Sequence, residues 1–206
     1  MYVPVEFAET DLAALDALIE RDNFISLVTS RDGLPEVTHL PVLYRREGQR
    51  IELRGHFARP NPQAHDSNHA LAIVHGPHAY VSPTWYPDKE AQSRVPTWNY
   101  AVAHLRGPLV TFDDAPRLAE IVDSLSVRHE RAVGSDWRYE PDREAHRRML
   151  RGIVGFTIAV EQIQLKFKLN QNHPAENRLA VAGFLDALDT GHGPDLARLM
   201  RERTPA

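Results

Sequence analysis

The 206-residue sequence predicts a mainly β protein with helices (α+β), built as an antiparallel barrel, closed or partly closed. Three observations carry this. Short apolar or alternating runs follow one another between residues 24 and 112, several of them joined by turn-forming residues. Helical periodicity is confined to the start, one long crossover and the end. No glycine-rich loop follows a strand and no strand–helix–strand alternation is sustained, which argues against a doubly wound dinucleotide fold.

The elements follow in order. Thr10 is placed to cap a helix over 11–21, where Leu12, Leu15, Leu18 and Ile19 share a face. The period then changes to two. "FISLVT" (24–29) is a strand, "SRDG" (30–33) a turn, and "PEVTHLPVLYR" (35–45) a second strand. Pro41 cannot donate to a ladder, so this strand lies at an edge or faces something other than a strand. "REGQR" (46–50) turns into "IELRGHF" (51–57), where Ile51, Leu53, Gly55 and Phe57 alternate with Glu52, Arg54 and His56. "LAIVHG" (71–76), "AYVSP" (79–83), "WNYAVAHLRG" (98–107) and "PLVTF" (108–112) continue as separate short strands. Asp114 and Pro116 open a helix to about residue 130, with Leu118, Ile121, Val122 and Leu125 as its buried stripe. A second helix is expected over 141–151, then strands at 153–163 and 165–169. From Glu176 the chain is helical, interrupted by "TGHGPD" (190–195).

Composition narrows the function classes. Hydrophobic residues at 42% and charged residues at 25% suit a globular chain with a real core. A formal net charge of −4 gives no overall sign of nucleic-acid binding. The absence of cysteine excludes disulfides, thiolate metal sites and thiol catalysis, and fits a cytoplasmic protein. "MYVPVEFAET" carries neither a basic nor an apolar signal region, and the most apolar run, "IVGFTIAV" (153–160), is too short to span a bilayer. A soluble intracellular protein with no membrane partner is expected.

Four stretches are candidates for chemistry. In "VPTWNYAVAHLRG" (95–107), strand alternation puts Trp98, Tyr100, Val102 and His104 on one face, with Asn99, Ala101, Ala103 and Leu105 on the other. One face carries large rings with polar tips and the other is nearly bare, a combination suited to a flat, polar-edged ligand or a partner subunit. "GHFARPNPQ" (55–63) leaves a strand through Gly55 and His56 and presents Arg59, Asn61 and Gln63 amid two prolines, where Arg59 and Asn61 offer charge-assisted bonds to a phosphate. An ordinary proline-rich loop with a solvated arginine explains it equally. In "VTHLPV" (37–42), His39 interrupts an apolar strand, as a ligand contact or as a buried histidine satisfied by a carbonyl. "KFKLNQN" (166–172) places Lys166, Lys168 and Asn170 on one face. Lysine is rare here: Lys89, Lys166 and Lys168 are the only ones among 24 basic residues, so the pair marks a place where a compact point charge suits better than a guanidinium, and chance on a solvent-facing strand explains it equally.

Other chemistries lack a pattern. His65 and His69 have helical i, i+4 spacing, but "HDSNH" is no zinc motif, and no metal is expected. No Gly-x-Ser-x-Gly elbow supports serine hydrolysis. The arginine-rich stretch 128–151 alternates signs, as a solvated helix face does.

Taken together, "THLP", "GHFARPNPQ", "GPHAYVSPTWY", "VPTWNYAVAHLRG", "IVGF" and "KFKLNQN", in this order, resemble the PaiB-type family of FMN-binding negative transcriptional regulators. The resemblance runs from "MYVP" to about residue 185. It implies an antiparallel split β-barrel of the FMN-binding, pyridoxamine-phosphate-oxidase-like type over 1–185, with a C-terminal helical tail over 186–206. It further implies a homodimer with FMN at the subunit interface. Under it, Arg59, Asn61 and Lys168 are candidates for the phosphate or ribityl chain, and His39, Trp98, Asn99 and Tyr100 for the ring. His56 and Asn170 complete the cofactor-binding set. DNA binding is implied by the resemblance only, since no helix-turn-helix or basic recognition helix is evident. An FMN-dependent oxidoreductase of a small planar substrate and a haem-binding split barrel are the alternatives.

Overall fold

The computed structural model describes residues 1–65, 69–188 and 192–204. The interior of "HDSNH" and residues 190 and 191 of the interruption at 190–195 lie outside the described residues. The elements are β1 (Ala8–Glu9), α1 (Leu12–Arg21), β2 (Phe24–Arg31), β3 (Leu34–Pro41), β4 (Leu43–Glu47), β5 (Arg50–Ala58), β6 (His69–Val81) and β7 (Thr97–Phe112). They are followed by α2 (Ala115–Ala132), α3 (Glu144–Leu150), β8 (Ile153–Ala159), β9 (Gln162–Lys168), α4 (Ala175–Asp186) and α5 (Gly193–Glu202). Among the described residues no helix is long and apolar enough to cross a membrane. The chain forms two compact units. One comprises Met1–Leu18, His75–Ala103 and the segment from Gln164 onward; the other comprises Ile19–Val74 and His104–Ile163.

In the second unit the strand order is β3-β2-β6-β7-β8-β5-β4, and β2–β3, β2–β6, β4–β5, β5–β8 and β7–β8 all pair antiparallel. The β2–β3 hairpin closes through Asp32 and Gly33, with φ of 51° and 79°. Both central residues of this two-residue turn are left-handed, which is why Asp-Gly is found there. The run 35–45 is not one strand but two. Pro41 pairs with Phe24 of β2, whereas Leu43 pairs with Arg54 of β5. The chain changes partner at Val42, whose N–H donates to the Asn23 carbonyl at 3.0 Å. Asn23 Nδ2 donates back to the Val42 carbonyl at 2.8 Å. β3 ends the strand order, as Pro41 requires.

The long strands are a second departure. The sequence breaks 71–83 and 98–112 at Gly-Pro pairs, yet β6 and β7 each run straight through them. These glycines serve close approach rather than a turn. A Cβ on Gly107 would lie 1.9 Å from the Ala159 carbonyl oxygen. One on Gly76 would lie 2.7 Å from the Ala101 oxygen and 2.8 Å from Leu18 Cδ2. The expected strand 153–163 is likewise split, because β8 ends at Ala159 and β9 begins at Gln162.

α2 begins as its sequence dictates, with the Asp114 side chain accepting the Arg117 N–H at 3.0 Å and Pro116 in the first turn. Its Leu118 packs with Tyr139 and Leu150, flanked by Phe112, Val122 and Ile153. At α1 the cap is Asp11 rather than Thr10: Asp11 Oδ1 accepts the Ala13 N–H at 2.8 Å. Glu9 Oε1 takes the N–H groups of Thr10 and Asp11, so the acidic side chains outcompete the hydroxyl.

In the first unit β9 pairs with β1 and with β7. Its helices bury Val181, Ala182 and Leu185 of α4 and Leu196, Ala197 and Met200 of α5.

Candidate functional site

β7 settles which of its faces is free. Asn99, Ala101 and Ala103 are buried, and Ala101 is pressed against the Gly76 backbone, which explains why that face is nearly bare. Trp98 stays 53% exposed on the opposite face, beside Tyr80 at 46%. The Trp98 ring meets Tyr80 edge-on at 6.2 Å and His78 at 6.3 Å. A cleft of about 380 Å³ is lined here by His75, His78, Trp98, Tyr100 and Val102.

Two ammonium groups lie on the same unit. Lys168 Nζ donates to the Trp98 carbonyl at 2.8 Å and to Thr97 Oγ1. Lys166 is 8% exposed, donates to the Tyr2 carbonyl at 3.2 Å, and stands 5.3 Å from the Tyr100 ring centroid. Neither lysine has a carboxylate partner among the described residues. Burial, and then the charge of Lys166, hold the Lys168 pKa below its ordinary value. A desolvated ammonium with no local counterion is arranged for an anion that comes from outside.

The other candidates of this unit serve its interior. Asn99 is fully buried, with Nδ2 3.4 Å from Met200 Sδ and Oδ1 without a partner. Asn170, at a left-handed φ of 62°, donates from Nδ2 to the Tyr86 hydroxyl at 2.9 Å.

The second unit carries His39, His56, Arg59 and Asn61. His39 is exposed on edge strand β3, with Nδ1 3.0 Å from Ser26 Oγ and its ring stacked on Phe24 at 6.5 Å. It is not the buried histidine that the apolar strand suggests. His56 shares the face of β5 on which Arg54 meets Glu120 of α2. Its Nδ1 is buried without a partner, and burial lowers its pKa. Arg59 donates from Nε to the Arg151 carbonyl at 2.6 Å and from Nη2 to the Ile153 carbonyl at 3.0 Å, tying its loop to the start of β8. Asn61 donates to Thr38 Oγ1 at 2.8 Å and accepts the Gln63 N–H at 2.9 Å.

Gln63, which the sequence alone does not single out as an anchor, is 1% exposed. Its Nε2 lies within bonding distance of the Leu27 and Glu36 carbonyls and of Thr29 Oγ1, and its Oε1 accepts from Thr38. The "NPQ" word therefore pins its loop to the β2–β3 hairpin. The only hint in the sequence was a glutamine between proline-rich and apolar residues. Tyr86, Arg94 and His173 were also missed as a group, because 79 residues separate Arg94 from His173 along the chain.

A family model described as a putative FMN-binding domain matches residues 1–162. The protease synthase and sporulation protein PAI 2 of Bacillus subtilis is 30% identical over 207 residues, covering 98% of each chain. An uncharacterized protein of Emericella nidulans is 28% identical, covering 98% of this chain and 97% of its own. Among solved structures, the FAD and heme binding protein of Mycobacterium smegmatis superposes with a TM-score of 0.54 at 19% identity, over 78% of this chain and 72% of that one. A conserved hypothetical protein of Mycobacterium tuberculosis gives 0.55 at 13% identity, over 84% and 94%. At these identities the likeness establishes the fold, and it is the antiparallel split barrel that the sequence predicts.

Proposed function

Because the chain belongs to the family described as a putative FMN-binding domain, we propose that it is an FMN-dependent regulator whose flavin ring lies on the aromatic face of β7. One observation carries the reading: rings exposed at Trp98 and Tyr80, with the Trp98 carbonyl held by Lys168 and the Tyr100 ring 5.3 Å from Lys166, neither lysine having a local carboxylate. FMN needs a flat aromatic surface for its ring and cations for its phosphate, and these residues fit both needs. Trp98 and Tyr100 are the ring-side residues, and Lys168 serves the phosphate or ribityl chain. When bound, FMN supplies reversible one- or two-electron chemistry. The chain's own part is to bind the ring, balance the phosphate charge and screen the ring from water. Arg59, Asn61, His39 and His56 remain candidates on the family resemblance. Asn99 and Asn170 act on the site indirectly, by holding the strand ends that carry Trp98 and Lys168.

The regulatory role follows the resemblance to the PaiB-type family, as do a cytoplasmic location and a homodimer with flavin at the interface. DNA as a partner rests on that resemblance alone. Several arginines of α2, α3 and the segment between them are already paired: Arg128 with Glu20, Arg138 with Asp123, and Arg148 with Glu144. The test is the absorption spectrum of freshly purified protein, followed by FMN titration with gel filtration. A flavin band that travels with a dimer is expected. Unquenched FMN fluorescence at protein excess would sink the reading.

A further inference from the structure

The first unit holds a second cleft, of about 330 Å³, walled by Tyr86, Arg94, Thr97, Lys168, Asn170 and His173. Its chemistry is lopsided. Arg94 is forked onto Asp88, with Nε 2.9 Å from Oδ1, and Asn177 donates to the same carboxylate at 2.8 Å. The hydrogen bond from Arg94 is the main reason the Asp88 carboxyl is pushed down to about 2, so this carboxylate is ionised and fully engaged. Lys168 has none. The Tyr86 hydroxyl accepts from Asn170, and its own proton has no acceptor among the described residues. The His173 ring lies flat on Tyr86, 4.9 Å between centroids and 6° between planes, with Nδ1 shut from solvent and unpartnered. Burial holds the His173 pKa low, and Arg94 and Lys168 push the same way against Asp88. With Arg94 and Asp88 committed to each other, the half-buried Lys168 ammonium and the uncommitted proton of the buried Tyr86 phenol are left facing the cleft, a donor surplus that calls for an acceptor.

We propose that this cleft binds a small oxyanion, the carboxylate or phosphate-monoester group of a ligand other than the flavin, with Lys168 Nζ and the Tyr86 hydroxyl as donors. The inference goes beyond the flavin reading and shares with it Lys168 as a donor and Asn170 as a support. The enclosing elements suit selection by size: Ser93, at a left-handed φ of 47°, and Asn170, at 62°, turn the chain sharply at the cleft wall. An oxyanion bound there raises the pKa of His173, because it opposes the field of Arg94 and Lys168.

The full chain, with and without added FMN, is titrated at constant ionic strength with inorganic phosphate, with malonate and with chloride. The His173 ring-proton resonance, assigned from His173→Asn, is followed by NMR. A saturable shift with phosphate or malonate, absent with chloride and weakened by FMN, which engages Lys168 as well, is expected, and the two arms tell a phosphate ligand from a carboxylate. Tyr86→Phe keeps the buried ring and is expected to weaken anion binding at least tenfold, with the FMN titration unchanged and a modest fall in melting temperature because Asn170 loses its acceptor. Lys168→Met abolishes the shift and Lys168→Arg restores it. No saturable shift with either anion overturns the proposal, as does wild-type anion affinity in folded Tyr86→Phe. A matching loss of FMN affinity in Tyr86→Phe also overturns it, making the cleft the flavin's own phosphate site. Failure of FMN to bind at all sinks the flavin reading and leaves this one standing.

Discussion

Replacing Gln63 by leucine separates a structural role for the "NPQ" word from a phosphate-binding one. The side chain is 1% exposed, and its volume is nearly kept in leucine, so the perturbation is mainly polar. Its amide offers two protons to three acceptors, the Leu27 and Glu36 carbonyls and Thr29 Oγ1, and its oxygen accepts from Thr38. That amounts to three effective bonds, which at about 0.5–1.5 kcal/mol each give a loss of about 1.5–4.5 kcal/mol. Thr38 keeps the Asn61 bond at 2.8 Å, so part of the network survives and the middle of that range is expected. Urea unfolding followed by tryptophan fluorescence measures it, with a lowered midpoint at unchanged slope. FMN affinity, measured where the variant is fully folded, stays within twofold of wild type. The reasoning is refuted by a midpoint shift worth less than about 0.5 kcal/mol. It is equally refuted by a tenfold loss of FMN affinity in the folded variant, which would make Gln63 itself part of the cofactor site.

Three further outcomes are expected. Gly107→Ala drives a methyl to within 1.9 Å of the Ala159 carbonyl oxygen, so thermal stability should fall steeply, and a melting curve like wild type would mean the strands are not that close. Trp98→Ala removes a ring that is 53% exposed, so it should lower FMN affinity about tenfold, or about 1.4 kcal/mol, with little change in melting temperature; equal FMN titration curves would move the ring elsewhere. Asp88 has a folded pKa of about 2 against an ordinary 3.8, so its contribution to stability is full above 3.8 and lost as pH falls toward 2. Wild type and Asp88→Asn should therefore differ in stability at pH 6 and converge at the acid end, and a constant gap down to pH 2 would remove the Arg94 fork as the cause.

The local sequence determined much of this protein. Asp32-Gly33 specified its hairpin because few residues other than glycine, asparagine and aspartate tolerate two successive left-handed positions. Asp114 and Pro116 specified the start of α2, and strict alternation in β5 and β7 divided their residues correctly between two faces. What alternation could not say was which face of β7 stays free, because Trp98 and Asn99 are both plausible inside or out. That was decided by the close approach of Gly76 to Ala101, a contact between residues 25 apart in sequence. The Gly-Pro pairs misled for the same reason: glycine is needed equally by a turn and by a backbone pressed against another backbone. The partners of Arg59, Asn61 and Gln63 were hidden because they are carbonyls, which every residue carries, and the hydroxyls of two threonines distant in sequence. The Tyr86–His173 cleft was hidden because only folding brings "SRVPT" beside "KLNQNH". Propensity and periodicity act between near neighbours along the chain, whereas a binding site needs charges and donors to converge from distant ones.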